Sequence, residues 1–312
     1  MKTIIIILII FFMGVIYSEE NTKTPAFKNS EENPIKESEK KGEKKKVSTA
    51  EKVFFCAKGY KGPAFLGWCK DGNYYGPVHM GSIGVAVADG FYGLVQISGF
   101  LSLSDNFYGL VQIGGFGVGS KKIFYGFGQI GGAVATSEIF NGVFQFGGLF
   151  SVAYKKFNGL VQIGGLITGA DKFHGFISLS SIMSGISNFE GGFQISLFSM
   201  SGFNFLGPFL STEKQEKFLK DKKIHGFYGG FQIGVLVSGA STFKGVSQIG
   251  AYNVSLQHYG GQIGIVNRSK VVRGVQIGVV NYTEKLYGLQ LGLVNIAQNG
   301  FLPYTTILNI GW

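Results

Sequence analysis

The sequence predicts an all-β fold, a repeat-built antiparallel meander closed into an outer-membrane β-barrel of about 14–16 strands. Three observations favour it: a glutamine phrase that recurs along the chain, period-two alternation within each unit, and an apolar strand face with no amphipathic helix to cover it. The 50 glycines among 312 residues argue against a helix-rich enzyme, because glycine destabilises helix interiors.

The amino terminus predicts export. Lys2 precedes an apolar run from Ile4 to Tyr17, and the polar boundary after it predicts a signal peptide over residues 1–18. An uncleaved anchor is the alternative. Residues 19–52 carry nine lysines against eight glutamates and almost no apolar side chains, so they predict a disordered charged tether rather than a nucleic-acid patch.

The lead-in at residues 53–79 contains Cys56 and Cys69, the two cysteines of the chain. An even cysteine count in an exported chain predicts one disulfide between them, with two free thiols as the alternative. No histidine lies near them at ligand spacing, so they do not predict a zinc site.

The main signal is a tandem repeat over residues 80–312. Its phrase resembles F-x-G-L-V-Q-I-G-G, and the step from one glutamine to the next is mostly about 16 positions and shortens to about 14 at the carboxyl end. A longer gap, between Gln194 and Gln232, contains the charged loop 212–223. The repeat glutamines are Gln96, Gln112, Gln129, Gln145, Gln162, Gln194, Gln232, Gln248, Gln262, Gln276 and Gln290, and Ser178 replaces one of them.

Each unit predicts strand, because residues alternate with period two. Val275 and Ile277 share one face, whereas Gln276 and Gly278 share the other. Two architectures can use such a unit. An antiparallel meander would place every glutamine opposite a glycine of the next strand, and a parallel β-solenoid would stack glutamine on glutamine. The meander is the main prediction and the solenoid is the alternative.

The meander also predicts hairpin tips with an alternating charge. Acidic tips alternate with lysine-bearing tips, and the repeat step alternates between a shorter length and one that is longer by a single residue. A meander places alternate tips at opposite ends of its sheet, which would explain a two-unit alternation. The predicted tips are Asp105, Lys121/Lys122, Glu138, Tyr154/Lys155 and Asp171.

Lipid would explain the apolar strand face. Phe144, Phe146 and Phe150 lie on a face without polar groups, opposite Gln145, so a closed barrel would turn them outward. The face that carries Gln145 would point into the barrel, and its scarcity of charged residues predicts a narrow or side-chain-filled lumen. The last residues alternate outward, as in the terminal strand of bacterial barrels, through Tyr304, Thr306, Leu308, Ile310 and Trp312.

The carboxyl-terminal repeats show a family resemblance. The segment GGQIGIVNRSKVVRGVQIGVVNYTEKLYGLQLGLVNIAQNGFLP resembles the surface repeat-containing proteins of leptospiral spirochaetes and other bacteria, with their tandem GLQIGLVN units and N-G-x-L-P ending. The close match covers roughly residues 260–312, and residues 80–256 carry a looser form. The resemblance implies exposure at the cell surface or outer membrane and transfers no activity.

No catalytic, cofactor-binding or metal-binding constellation is evident, so we expect no enzyme and no cofactor. The glycosylation sequons at Asn253, Asn267 and Asn281 are interpreted as asparagines in turns. The expected function is a structural, adhesive or narrow-channel role at the outer membrane or cell surface; the alternative is a secreted or surface-attached solenoid acting as an adhesin. Expected partners are membrane lipid and an anionic surface polysaccharide or host ligand, but no nucleic acid.

Overall fold

The computed structural model describes residues 60–61, 64–66, 68–81, 84–202 and 226–312, with side chains from residue 72 onward. The predicted signal peptide, the tether, Cys56 and the loop 212–223 lie outside these residues. The described chain is all-β, and no helix occurs in it that could span a membrane. Its strands are β1 (Tyr60–Lys61), β2 (Ala64–Leu66), β3 (Trp68–Tyr75), β4 (Val78–Met80), β5 (Val85–Tyr92), β6 (Val95–Ser98), β7 (Leu101–Tyr108), β8 (Val111–Gly114), β9 (Gly117–Tyr125), β10 (Gly128–Gly131), β11 (Val134–Asn141), β12 (Phe144–Gly147), β13 (Phe150–Asn158), β14 (Val161–Gly164), β15 (Ile167–His174), β16 (Ile177–Ser180), β17 (Met183–Ser201), β18 (Gly226–Ile249), β19 (Tyr252–Ala297) and β20 (Tyr304–Gly311).

The strands form a parallel β-solenoid, so the predicted meander and barrel are wrong and the solenoid alternative is confirmed. Short strands pair with short strands one coil away, as β8 does with β10, and long strands pair with long strands, as β7 does with β9. Like residues therefore stack: Gln112 aligns with Gln129, not with a glycine. An antiparallel register would separate these residues, whereas each coil here repeats the same path about 4.8 Å further along the axis.

Each coil has three flat faces. Face I is the short strand, such as Val111–Gly114. The long strand supplies the other two because it bends in its middle: Ser102 and Ser104 point inward on face II, and Phe107 points inward on face III. An odd number of steps separates Ser104 from Phe107, so the alternation is broken at Asp105, where a bulge turns the chain through a corner.

That corner explains the alternating charge, which a meander would assign to opposite ends of a sheet. Coils of 16 and 17 residues differ by one residue at this bend, and all the bends stack at the same corner. Acid and lysine therefore meet in neighbouring coils: Lys122 Nζ lies 3.6 Å from Asp105 Oδ2, and Lys155 forms an ion pair with Glu138. The alternation avoids like charges about 4.8 Å apart.

The interior is filled by side-chain columns rather than a lumen. The glutamine ladder runs along face I, where the Nε2 of nine glutamines donates to the Oε1 of the glutamine in the preceding coil at 2.7–3.2 Å. Ser178 interrupts the ladder before Gln194. All eleven predicted glutamines are fully buried, so these amides hydrogen-bond across the coils and water does not reach them. His79 precedes the ladder, with Nδ1 3.3 Å from Gln96 Nε2.

An aromatic column fills the interior behind face III. Ring centroids of successive members lie 4.6–5.5 Å apart and the planes are nearly parallel. A glycine follows each ring because the chain turns against the preceding coil: a Cβ on Gly142 would lie 2.7 Å from both Gly126 O and Phe140 Cζ. The column consists of Tyr74, Phe91, Phe107, Phe124, Phe140, Phe157, Phe173, Phe189, Phe227, Phe243 and His258.

The insertion after Ser201 leaves the coils in register. Gln232 donates to Gln194 at 3.1 Å across 38 residues of sequence, and Phe227 stacks on Phe189. The chain departs and returns at the corner between faces II and III, since Ser201 aligns with Ala240 and Asn188 with Gly226. An insertion at this bend interrupts none of the interior columns.

The coils of β19 are shorter and have a second ladder. Asn253, Asn267, Asn281 and Asn295 stack with Nδ2–Oδ1 distances of 2.8 Å, and Asn267 Nδ2 also donates to the Ile277 carbonyl at 2.9 Å. The sequon asparagines are thus buried inside the coil. The turn glycines adopt positive φ here, 144° at Gly274, a conformation that L residues rarely adopt.

The carboxyl-terminal strand caps the solenoid. β20 pairs antiparallel with the last coil of β19, and Asn309 Nδ2 lies 3.5 Å from Gln290 Oε1, at the end of the glutamine ladder. Tyr304, Thr306, Leu308, Ile310 and Trp312 are all exposed, as the alternation predicts. Ile307 is exposed as well, because its φ of 69° interrupts the alternation. The strand closes the end of a stack instead of completing a barrel.

Candidate binding surface

The outward side chains of face III form a row along the solenoid. In each coil the residue after the buried aromatic points outward, so equivalent positions stack about 4.8 Å apart. The row begins with stacked tyrosines: Tyr75, Tyr92, Tyr108 and Tyr125 have centroid distances of 4.8–5.7 Å. These rings face one another along the axis and present their edges to solvent.

The far end of the row alternates rings with cations. Lys244 lies between the rings of Tyr228 and Tyr259, at 5.6 and 5.2 Å from their centroids. Arg273 lies between Tyr259 and Tyr287, at 5.4 Å from each. Cation–π contacts at exposed sites contribute about 0.5–1 kcal/mol each, so these contacts order the surface more than they stabilise the fold.

Between these two ends, polar residues of four successive coils surround a depression of about 700 Å³. His174 Nε2 lies 2.9 Å from Glu190 Oε2, and Asn188 Nδ2 donates to Glu190 Oε1 at 3.0 Å. Lys156 and Lys172 lie in neighbouring coils at equivalent positions. We call the set Lys156, Lys172, His174, Asn188, Glu190 and Tyr228 the face III depression.

The electrostatics of the depression favour an anion that also carries hydroxyl groups. Lys156 and Lys172 form no ion pair with a described residue, so their ammonium groups can meet a ligand carboxylate or sulfate. Asn188 is 8% exposed, and its buried Oδ1 has no hydrogen-bond partner among the described residues. An unpaired buried acceptor is costly, so this atom can take a donor from a ligand hydroxyl. Tyr228 adds an aromatic edge.

The structure places the sequence-predicted residues away from this surface. The repeat glutamines are interior, and the terminal strand residues lie at the cap. Cys69 aligns with Ala88 in the pairing of β3 with β5, but its side chain and all of Cys56 lie outside the described residues. The sequence did not identify Lys156, Lys172, Asn188 or Glu190. Aligning the units on their buried phenylalanines would have found them, because each flanks that ring by one position.

No group of three or more histidine, cysteine, aspartate or glutamate side chains in the described ranges could hold a metal ion. His258 is buried and stacks on Phe243, with Nε2 3.0 Å from the Gly261 carbonyl oxygen. Burial lowers the pKa of His258 from its usual 6.5 to about 4, against a smaller opposing effect of backbone hydrogen bonds. This histidine belongs to the core and not to the surface site.

Comparison of the chain with protein-family models, with curated proteins and with solved structures gave no match. The fold defines the class of the protein as a repeat protein with a parallel β-solenoid.

Proposed function

We propose that the protein is an exported, surface-attached β-solenoid binding module, adhesin-like and without catalytic activity. The observation that carries the proposal is the face III depression, which gathers two cations, a carboxylate, an amide and a tyrosine from successive coils of a rigid rod. The predicted signal peptide and the resemblance to bacterial surface repeat proteins support export and display at the cell surface.

The ligand class that fits is an anionic polysaccharide. Neighbouring coils lie about 4.8 Å apart, close to the length of one sugar residue, so Lys156 and Lys172 can meet charges on adjacent sugars of one chain. Glu190 and Asn188 offer acceptors for hydroxyl donors, which a simple phosphate ion does not have. The charge and the hydroxyls of an acidic sugar polymer together use the whole set.

The test is a titration with alginate oligomers, using neutral dextran oligomers as the comparison. We expect alginate to bind, dextran not to bind, and affinity to fall with added salt, as charge-driven association does. The double variant Lys156→Ala/Lys172→Ala should lower the affinity about tenfold, equivalent to about 1.4 kcal/mol.

The matched control is Arg273→Ala/Lys285→Ala, which removes the same charge outside the depression. It should change the affinity by less than about twofold if contacts at the depression dominate over net charge. Equal losses in the two double variants would show that binding follows net charge alone. Absence of alginate binding by the unaltered chain would contradict the proposed ligand class.

A further inference from the structure

Face I is apolar and carries no charge along the whole repeat. Twelve successive stretches follow the turn glycines, from residues 93–100 to residues 288–293, and none contains Asp, Glu, Lys or Arg. Residues 84–202 and 226–312 hold ten basic and six acidic residues, and all sixteen lie elsewhere on the coils. Soluble surfaces rarely leave so long an uncharged face uncovered.

The outward side chains of face I are large and exposed in the first half of the solenoid. At the edge next to face III the exposed fractions are 52% for Leu110, 51% for Phe127 and 57% for Leu160. At the edge next to face II, Phe100 is 50% exposed and stacks on Phe116 with centroids 5.0 Å apart. The first half of face I therefore has two raised apolar edges.

The second half of the same face has the opposite relief. It is low at the edge next to face III, where glycines such as Gly274 replace the leucines of the first half. It is raised three positions after the ladder glutamine, where Ile265 is 57% exposed and Leu293 is 67% exposed and the first half has glycines. Ala251 and Gly264 line a shallow apolar groove of about 580 Å³, with isoleucines and valines around it. The two halves therefore differ in relief while both remain uncharged.

We propose that face I is the interface of a two-fold homodimer in which two solenoids lie antiparallel, face I against face I. A two-fold axis across the rods would place the raised row of each half of one copy over the glycine row of the opposite half of the other copy. No like charges would meet, because the face has none. A lipid surface has no relief to match, so the relief favours a second copy over a bilayer.

The area is sufficient for a stable dimer. Twelve strands spaced about 4.8 Å apart extend roughly 58 Å, and about five residues across gives roughly 17 Å, so each copy would bury on the order of 1,000 Å². The total of roughly 2,000 Å² lies at the boundary between standard interfaces and the larger obligate ones, which are also more apolar. The face III depression would stay exposed on both copies, giving two ligand sites for one rod pair.

The experiment measures the mass of the exported chain by sedimentation equilibrium and by light scattering after gel filtration, without detergent. We expect a dimer at micromolar concentration. The variant Leu110→Glu/Leu160→Glu places charges in the exposed edge of face I and should weaken dimerisation at least 100-fold. The control Leu103→Glu/Tyr125→Glu adds the same charges to faces II and III and should remain dimeric.

Circular dichroism of both double variants keeps the outcome interpretable, since the altered side chains are exposed and the β spectrum should not change. A monomeric unaltered chain at 100-fold higher concentration, or equal dimerisation of the two variants, would overturn the proposal. Flotation of a monomeric chain with phosphatidylcholine vesicles, lost in the face I variant alone, would instead assign the face to lipid. Loss of alginate binding would leave this result unaffected, so the two proposals fail separately.

Discussion

Residues 84–202 with 226–249, the first region, and residues 252–297, the second region, stack the same glutamine ladder but build the rest of the coil differently. In the first region, coils of 16 or 17 residues have a bulged corner that carries Asp105 or Lys122, and phenylalanines fill the interior. In the second region the coil has 14 residues, Asn267 and its equivalents form a second ladder, and Val272 or Leu286 takes the position of the ring.

The difference teaches how a coil can be shortened without losing its register. The first region widens the coil and fills the added space with stacked rings, which are buried apolar side chains. The second region narrows the coil, and its asparagines satisfy backbone carbonyls that the tighter path leaves inside. Four substitutions would break or sharpen this contrast.

The largest effect is expected in the aromatic column. Phe157→Ala removes a fully buried ring between Phe140 and Phe173 and should lower the free energy of unfolding by about 3–5 kcal/mol. The measurement is guanidinium denaturation followed by circular dichroism. Phe157→Leu, which imitates Leu286 of the second region, should cost less than about 2 kcal/mol. If both variants lose the same stability, ring stacking rather than volume holds the first region together.

The second effect is pH dependence at the junction of the two regions. His258 has a pKa of about 4 in the folded chain and 6.5 when unfolded, so the unfolded state binds the proton first. Stability is full above pH 6.5 and falls by about 3 kcal/mol as the pH drops to about 4. His258→Phe should remove that component while keeping a ring stacked on Phe243. Denaturation midpoints of both chains across pH 4–8 check this, and parallel pH curves would contradict it.

The third-largest change in stability is expected in the asparagine ladder. Asn267→Ala leaves the Asn281 side-chain oxygen and the Ile277 carbonyl without the amide that donates to them inside the coil. We expect a loss of about 2 kcal/mol, since each buried group left unpaired costs about 1–3 kcal/mol. The control is Asn158→Ala, which removes the outward pair with Asn141 at 2.7 Å and should cost less than about 1 kcal/mol. Comparable losses would mean that burial of the ladder contributes little.

The smallest expected effect is an increase in the free energy of unfolding. Ser178 interrupts the glutamine ladder, and the Oε1 of Gln162 is left buried with no described partner. Ser178→Gln should restore the chain of amides between Gln162 and Gln194 and raise the denaturation midpoint, by about 1 kcal/mol in free energy. The cluster of Ser178 with Thr168 and Ser184, at 3.0 and 3.2 Å, would be displaced. A loss of stability would show that this cluster is the better packing.

The strands of the fold could be predicted from sequence, but their pairing could not. Period-two alternation placed Gln276 and Ile277 on opposite sides correctly, and the structure buries the first and exposes the second. The same spacing allows Gln276 to lie beside Gly292 in a meander or beside Gln290 in a stack. The structure selects the stack, with Gln290 Nε2 2.7 Å from Gln276 Oε1. A constant repeat length fits both pairings, so it could not decide between them.

The break in alternation between Ser104 and Phe107 could have decided it, because it marks a corner inside the strand. The face III depression could not be predicted from the sequence for another reason. Lys156, Lys172 and Asn188 are far apart in sequence and become neighbours only once the coils are stacked in register. Their proximity depends on the pairing that spacing alone left open.

The glutamine ladder also has a consequence for how the gene can change. Except at Ser178, each coil receives one amide hydrogen bond from the next coil and gives one to the preceding coil, always in the same direction. A whole unit can therefore be duplicated or deleted by recombination between similar repeats, and the flanking coils still find the partner they had. Solenoids that differ in length by steps of about 4.8 Å would then need no new capping strand, because β20 can pair with the coil that comes last.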